Sequence, residues 1–289
     1  MTDLRPVLRF APSPTGYLHI GHAFSALFTA RMAERLEGRF LLRIEDTDAT
    51  RCRPEFEAAI YEDLAWVGLA WEEPARRQSD HLADYAAALD ALRGMGVAFP
   101  CFASRKEIAE AAERLGPDWP RDPDGAPLYP GIWRDADPSA AAARIAAGEP
   151  YAMRLDNTKA RARANVRLSY VCFDEAGQTR EVMAHPERWG DILLASRDRP
   201  ASYHLAVVVD DALQGITHVT RGADLEAATD IHRLLQALLG LPAPLYCHHR
   251  LIFDPFGRKL AKSARDKSLR SLRAEGVTAA DIRRQLGFD

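Results

Sequence analysis

The amino-acid sequence predicts an α/β fold: a parallel sheet with helices on both faces, interrupted by an inserted α+β module and followed by a short helical tail. Short apolar strands alternate with amphipathic helices over roughly the first hundred residues, as is typical of parallel sheets. The composition then becomes Pro/Gly/Asp-rich and Ala-rich, and the alternation resumes after Trp189. These changes predict four segments, which are residues 1–98, 99–188, 189–264 and 265–289.

The first segment contains the clearest strand–helix units. A buried strand is expected at 7–10, and a helix begins near Ile20 with apolar side chains at helical spacing. A second strand at 40–44 ends in an acidic cluster at 45–48, and a helix follows from Pro54. A further helix is expected at 82–92. Functional residues are expected at the carboxyl ends of these strands, because such ends meet at one edge of a parallel sheet.

The second segment predicts a module that interrupts the sheet. Ser104 and Glu107 form a capping box for a short helix, and an Ala-rich helix follows at 139–147. Alternating apolar residues at 166–172 predict a strand that leads into a hairpin turn at 175–178.

The third segment again has the pattern of strands and helices that is typical of a parallel sheet. Strands are expected at 192–195, 205–209 and 216–219, a helix at 225–238, and a last strand at 246–253.

The composition limits the class of protein. The 289 residues are 47% hydrophobic and 27% charged with a net charge of −3, which excludes fibrous and disordered classes. No apolar signal region opens the sequence, and no run is long enough to cross a bilayer. Four scattered cysteines are typical of a reducing compartment. A cytoplasmic monomer without a membrane partner is therefore expected.

Two basic stretches are present in this slightly acidic chain. Residues 258–273 contain seven Lys and Arg against Asp266 alone, and residues 154–167 contain five. Either stretch alone would be interpreted as a solvated surface. Together they favour a localised contact with nucleic acid.

The strongest functional signal lies between the first strand and the first helix, in the sequence RFAPSPTGYLHIGH at 9–22. Two prolines force an extended entry and Gly16 permits a sharp turn, so His19 and His22 fall where the helix begins. Exposed backbone N–H groups and the positive end of the helix dipole make this position an anion site.

The two histidines could have one of three uses. A zinc site would need further ligands such as Glu45 or Asp46. A nucleophile–base pair would need a Ser or Cys, and none is suitably spaced. The third use is binding of a nucleotide triphosphate, with Gly21 leaving room for a flat base and Lys259 and Lys262 neutralising the leaving pyrophosphate. The plain structural alternative is a helix cap and two solvated lysines.

Both motifs resemble the signatures of class I aminoacyl-tRNA synthetases, with HIGH at 19–22 and KLAKS at 259–263. Longer strings are similar to the glutamyl branch of that family, and the glutaminyl branch is expected to differ within APSPTG. These strings lie at 9–22, 43–48, 203–211 and 220–225. The resemblance spans nearly the whole chain. It implies a Rossmann-type nucleotide-binding catalytic domain with an insertion, 99–188, like the acceptor-binding module.

The sequence beyond Ser263 separates two members of this branch. A complete glutamyl-tRNA synthetase continues into helical domains that read the anticodon, whereas this sequence is expected to end about one helix later. It thus resembles the truncated paralogues, the glutamyl-queuosine tRNA(Asp) synthetases. That resemblance implies activation of L-glutamate by ATP with Mg²⁺ and without tRNA. The glutamyl group would then pass to queuosine in the anticodon stem-loop of tRNA(Asp).

Three other functions are alternatives to this one. The first is a glutamyl-tRNA synthetase catalytic domain that charges the tRNA 3′ end. The second is a non-catalytic binding protein, which the intact signature motifs disfavour. The third is a nucleotidyltransferase unrelated to tRNA, which the basic tail and the pairing of Arg9 with Glu45 in one expected pocket disfavour.

The resemblance also implies roles for individual residues. The expected contacts to L-glutamate are Arg9, Phe10, Ala11, Pro12, Ser13, Glu45, Tyr203 and Arg221. The expected contacts to ATP are His19, Gly21, His22 and Lys262, and the catalytic residues are His19, His22, Lys259 and Lys262. Arg9 suits bidentate capture of the side-chain carboxylate, and Glu45 suits the α-ammonium group. Asp191, Asp210 and Asp211 remain unassigned, as strand-end caps or contacts to tRNA.

The zinc motif of the family is incomplete in this sequence. The family often holds zinc through Cys-x-Cys followed by Tyr-x-x-x-Cys, and the matching positions are Cys101, Ala103, Tyr129 and Trp133. Alanine and tryptophan cannot coordinate the metal, so two of the four ligands are missing. Zinc is therefore expected to be absent, with apolar packing around Phe102 and Trp133 in its place.

Overall fold

The structure, a computed structural model, describes residues 5–253 and 267–288. Its strands are β1 (Val7–Phe10), β2 (Arg39–Ile44), β3 (Glu72–Arg77), β4 (Ala98–Cys101), β5 (Ala152–Leu155), β6 (Ser169–Phe173), β7 (Thr179–Met183), β8 (Leu193–Ala195), β9 (His218–Gly222) and β10 (Leu245–His249). Its helices are α1 (Ile20–Arg35), α2 (Pro54–Trp66), α3 (Leu82–Gly94), α4 (Arg105–Arg114), α5 (Pro138–Ala146), α6 (Asn157–Ala164), α7 (Tyr203–Leu213), α8 (Ala228–Leu239), α9 (Leu269–Ala274) and α10 (Ala279–Leu286).

The main sheet consists of two parts that meet at β1. In the first part β1, β2 and β3 are parallel neighbours, and in the second the order is β7, β6, β10, β9. Strand β9 lies beside β1, where the N–H of Thr217 donates to the carbonyl of Val7 at 3.0 Å. Only the outermost pair, β6 and β7, is antiparallel in this series. The carboxyl ends of β1, β2 and β9 are thereby brought together.

Two apolar cores cover the two faces of this sheet. Helices α3, α7 and α8 supply one core, which includes Tyr85 and Leu235. Helices α1, α2, α9 and α10 supply the other, which includes Phe24 and Leu269. The expected α/β class with helices on both faces is confirmed. The tail contains two short helices, where the sequence predicted about one, and both pack against the second core.

A small antiparallel sheet, in the order β4, β5, β8, lies outside the main sheet. The pairing of strands crosses the expected boundary at 188, because β6 and β7 extend the main sheet through β10 whereas β8 pairs with β5. Such pairing joins residues far apart in sequence, so composition does not reveal it. The division into domains stays a prediction.

One expected strand is wrong. The run 205–209 belongs to helix α7, which begins after Ser202, whose hydroxyl accepts a hydrogen bond from the N–H of Leu205. This helix is buried along most of its length, so its apolar run has the appearance of a buried strand. Strand β3 was missed because its sequence, EEPARR, is polar and forms the edge of the sheet.

Two further local expectations are confirmed, whereas the last strand, expected at 246–253, ends at His249. Ser104 and Glu107 form the capping box of α4, and β6 and β7 form the hairpin. Within the described parts of the chain, no helix has the length and apolar character needed to span a bilayer.

The turn between α1 and β2 depends on a glycine. A Cβ at Gly38 would lie 2.5 Å from the carbonyl oxygen of Pro6, which accepts the N–H of Arg39 at 2.7 Å.

We expect Gly38→Ala to lower the free energy of unfolding by about 1–3 kcal/mol, because the backbone at Pro6, just before β1, must move. Chemical denaturation measures this loss. Gly94→Ala is the control, since a Cβ there meets no atom within 4 Å, and equal losses in the two variants would contradict the explanation.

Candidate active site

A cavity of about 340 Å³ opens at the carboxyl ends of β1, β2 and β9. Its volume is that of a small-molecule site. All eight residues expected to contact glutamate line it, together with His22. The lining residues are Arg9, Phe10, Ala11, Pro12, Ser13, His22, Ser25, Glu45, Tyr203, Thr220, Arg221, Gly222 and Leu225.

Several elements bring these residues together. Strand β1 ends at Phe10, and the loop after it is fixed to the end of β2, because the N–H of Glu45 donates to the carbonyl of Pro12 at 3.0 Å. Helix α7 begins with Tyr203, and β9 supplies Arg221. Residues more than 200 positions apart in sequence thus share one wall.

The two histidines of the HIGH motif close the first turn of α1. The N–H of Gly21 donates to Nδ1 of His19 at 3.0 Å, and the N–H of His19 donates to Nδ1 of His22 at 3.2 Å. A neutral ring that accepts at Nδ1 has its proton on Nε2. His22 lines the cavity, whereas His19 is buried as the cap of the helix.

Packing also explains why a glycine, Gly21, stands between the two histidines. A Cβ at Gly21 would lie 2.9 Å from Cε1 of His19, so a larger residue would displace the ring that caps the helix. That Gly21 also leaves room for a flat base remains a prediction.

Lys259 and Lys262 lie outside the described residues. The described chain on both sides of them contacts α1 or the segment just before it. On one side, Nε2 of His249 lies 3.0 Å from the hydroxyl of Ser25. On the other, Ser268 forms a bridge with His19, and the N–H of Leu269 donates to the carbonyl of Leu18 at 2.7 Å.

A buried network of charges supports the cavity floor. Nε of Arg9 donates to Oδ1 of Asp211 at 2.9 Å, and Nη1 of Arg43 donates to the same oxygen at 2.7 Å. Nη2 of Arg43 also donates to Oε1 of Glu45 at 3.1 Å. Burial raises the pKa of Asp211, but Arg9 and Arg43 outweigh it and hold that pKa below its ordinary value. Burial raises the pKa of Glu45 more than Arg43 and Arg9 lower it.

The three unassigned aspartates are all buried acceptors. Asp211 holds Arg9 and Arg43, as described above. Asp210 accepts from Arg76 at 2.7 Å and from the hydroxyl of Tyr85 at 2.9 Å. Asp191 accepts from Nε of Arg134 at 2.6 Å, away from the cavity. The sequence offered no signal for these pairings, because each joins distant parts of the chain.

Arg221 is the cation in the cavity wall whose neighbours are neutral. Its guanidinium contacts Nδ1 of His232 at 3.1 Å, Nε2 of His248 at 3.5 Å and the hydroxyl of Thr229. Among residues 5–253 and 267–288, no carboxylate lies within salt-bridge distance of it. Since Arg221 is only 5% exposed, a ligand carboxylate would be its natural counter-ion.

The histidines around Arg221 are held in the neutral form. Burial and the nearby Arg221 charge lower the pKa of His204 to about 4 and that of His248 to about 3. The same causes, with the other histidines, lower the pKa of His232 well below its ordinary value. Arg9 and Arg221 give the cavity two guanidinium groups, and Glu45 gives it one carboxylate. These charges complement an amino acid with a second carboxylate.

The positions that match the zinc motif form an apolar cluster. Sγ of Cys101 lies 3.3 Å from the hydroxyl of Tyr129, which accepts the N–H of Trp133 at 2.9 Å. Ala103 and Trp133 pack against these residues, and the rings of Phe102 and Trp133 are 4.9 Å apart. Only Cys101 and Tyr129 have atoms that could bind a metal, so these four residues do not fit a tetrahedral zinc site.

Both basic stretches are partly neutralised by nearby acids. Lys159 pairs with Asp156 at 3.0 Å, and Lys267 pairs with Glu275 at 2.6 Å. A contact of these stretches with nucleic acid remains a prediction.

Comparison with known proteins gives the family. Residues 7–286 match the model of "tRNA synthetases class I (E and Q), catalytic domain", and the chain belongs to this family. The chain is 45% identical over 289 residues to the glutamyl-Q tRNA(Asp) synthetase of Rhodobacter capsulatus, covering 98% of this chain and 100% of that protein. It is 38% identical to glutamate–tRNA ligase 2 of a Methylobacterium species, covering 94% of this chain but 58% of that ligase.

A solved structure shows the same architecture. The glutamate–tRNA synthetase of Elizabethkingia anophelis superimposes with a TM-score of 0.70 and 27% identity, over 94% of this chain and 54% of that protein. The resemblance to the glutamyl branch of class I synthetases, and the Rossmann-type fold that it implies, are confirmed.

We expect the purified protein to contain no stoichiometric zinc, because two of the four matching positions have no ligand atom. Elemental analysis after purification without chelator measures this. One zinc per chain would contradict the prediction and would mean that other groups, such as His185 or Asp124, bind the metal.

The neutral histidines should make stability depend on pH. Their folded pKa values lie below that of an unfolded histidine, so their stabilising effect is complete above about pH 6.5 and is lost as the pH falls toward about 4. We expect His204→Asn to flatten the decline of unfolding free energy between pH 6.5 and 4.5. His185→Asn, at an exposed histidine, is the control and should retain the wild-type slope. Equal slopes in the two variants would be evidence against the neutral cluster.

Proposed function

We propose that this protein is an ATP-dependent ligase that activates L-glutamate as glutamyl-adenylate without tRNA. It then transfers the glutamyl group to a hydroxyl of the queuosine base of tRNA(Asp), and AMP is released. The observation on which this depends is the cavity at the sheet edge, whose charges match glutamate. Arg9 and Arg221 supply cations for the two carboxylates, and Glu45 supplies an acceptor for the α-ammonium group.

The first step is attack of a glutamate α-carboxylate oxygen on the α-phosphorus of ATP. The bond from that phosphorus to the bridging oxygen breaks, and pyrophosphate leaves with the electron pair. His22 lines the cavity, and we propose that its ring and the backbone N–H groups of the first turn of α1 donate to phosphate oxygens. Lys259 and Lys262 are proposed from the sequence motif alone to neutralise the leaving group. Mg²⁺ bound with ATP would supply positive charge that stabilises the leaving pyrophosphate.

The transfer step is proposed from the relatives and from the chemistry of the acceptor. Proteins named glutamyl-Q tRNA(Asp) synthetase align over 79–100% of their own length in Rhodobacter capsulatus and Thiobacillus denitrificans. Glutamate–tRNA ligases align over only 56–58% of theirs. Unpaired anticodon bases can be splayed into a protein site, and the cis-diol of queuosine resembles the ribose diol of a tRNA 3′ end.

Activation is expected to need no tRNA. Exchange of labelled pyrophosphate into ATP should proceed with glutamate, ATP and Mg²⁺ alone.

Lys262→Ala should lower the rate of this exchange, because it removes about 2.7–4 kcal/mol of transition-state stabilisation, by analogy with loss of one oxyanion donor. Glutamate affinity, measured by calorimetry, should stay close to wild type. A strict requirement for tRNA would contradict tRNA-independent activation, and unchanged exchange in the variant would remove Lys262 from this role.

The acceptor is expected to be queuosine in tRNA(Asp). We expect labelled glutamate to be transferred to tRNA(Asp) that contains queuosine, and poorly to tRNA(Glu). The matched control is tRNA(Asp) without queuosine but with an intact 3′ end. If both forms of tRNA(Asp) are charged equally, or if tRNA(Glu) is the better acceptor, the protein charges 3′ ends and the proposed transfer is wrong.

A further inference from the structure

We propose that Asp211 is a positioning residue for L-glutamate, because its carboxylate orients both charged groups on the β1 and β2 side of the cavity. The inference rests on the proposed function, since it concerns the same substrate. Asp211 itself does not line the cavity. It reaches the cavity through two guanidinium groups, those of Arg9 and Arg43.

The first route runs through Arg9. Both carboxylate oxygens of Asp211 face this guanidinium, with Nε at 2.9 Å from Oδ1 and Nη2 at 3.4 Å from Oδ2. This pairing occupies one edge of the guanidinium plane. The remaining Nη1 lies 3.5 Å from the carbonyl oxygen of Thr220, a residue of the cavity wall. Asp211 therefore fixes which N–H groups of Arg9 are directed to the cavity.

The second route runs through Arg43, whose side chain is 0% exposed and cannot touch a ligand. Its Nη1 donates to Asp211 at 2.7 Å, and its Nη2 donates to Glu45 at 3.1 Å. One planar group thus holds both carboxylates at a fixed separation. If Asp211 lost its charge, Glu45 would be the cavity carboxylate nearest to both arginines. Glu45 would then serve as their counter-ion and would no longer be available to the α-ammonium group of glutamate.

The test removes the charge of Asp211 but keeps the volume of its side chain. In Asp211→Asn we expect KM and Kd for glutamate to rise about 10- to 100-fold, by analogy with the loss of a group that orients a metal-binding side chain. The KM for ATP and the kcat of pyrophosphate exchange should change less than about threefold, because the interaction concerns substrate placement. Asp191→Asn is the matched control. It removes a buried carboxylate paired with Arg134, so it should lower the melting temperature without changing the KM for glutamate.

A double-mutant cycle separates positioning from general destabilisation. Asp211 is proposed to act on Glu45 through Arg43, so Asp211→Asn and Glu45→Gln should be non-additive in their effects on Kd for glutamate. Asp191→Asn combined with Glu45→Gln should be additive. If Asp211→Asn does not fold, Arg43→Lys gives the same information, since a lysine keeps the charge but cannot bridge the two carboxylates. It too should weaken glutamate binding more than ATP binding.

The outcomes distinguish this inference from the proposed function. A wild-type protein that binds no glutamate overturns the proposed function. A wild-type protein that binds glutamate, with an Asp211→Asn variant of equal KM and Kd or with an additive cycle, overturns the positioning role alone.

Discussion

The carboxylate of Asp211 is shared by two buried guanidinium groups, and the amino-acid cavity depends on this interaction. A buried charge is costly unless it is paired and hydrogen-bonded. Arg9 and Arg43 are 4% and 0% exposed, so they can occupy the ends of β1 and β2 only when α7 brings its acidic residues against them. The docking of one helix therefore decides whether the sheet edge can hold a charged substrate.

The same helix contacts three neighbouring strands. Arg9 comes from β1, Arg43 from β2 and Arg76 from β3, and all three pair with the adjacent residues Asp210 and Asp211. Consecutive helical residues point in different directions, so one aspartate faces the cavity side and the other faces Arg76 and Tyr85. The first supports ligand binding, and the second ties the edge strand to the core.

The charge of Arg221 is stabilised in a different way. Arg221 contacts histidines that burial keeps uncharged, and in the part of the chain that the structure describes no carboxylate lies close enough to pair with it. Arg9 has a permanent counter-ion and is fixed in orientation, whereas Arg221 has its charge available for the ligand. A zwitterion with an additional carboxylate meets both kinds of cation in one small space.

The sequence by itself determined the class of fold and the HIGH segment at the start of α1, because strand–helix alternation and helix-start signals are local in the chain. Its resemblance to the glutamyl branch implied the eight glutamate contacts that line the cavity, but not Ser25, Thr220, Gly222 or Leu225. It also identified Cys101, Ala103, Tyr129 and Trp133 as a degraded zinc motif. It did not reveal that 205–209 is helical, since a fully buried run lacks periodicity. Only the tertiary structure decided the partners of Asp210, Asp211 and Arg221, because each of these contacts joins side chains whose separation in space cannot be read from their separation in sequence.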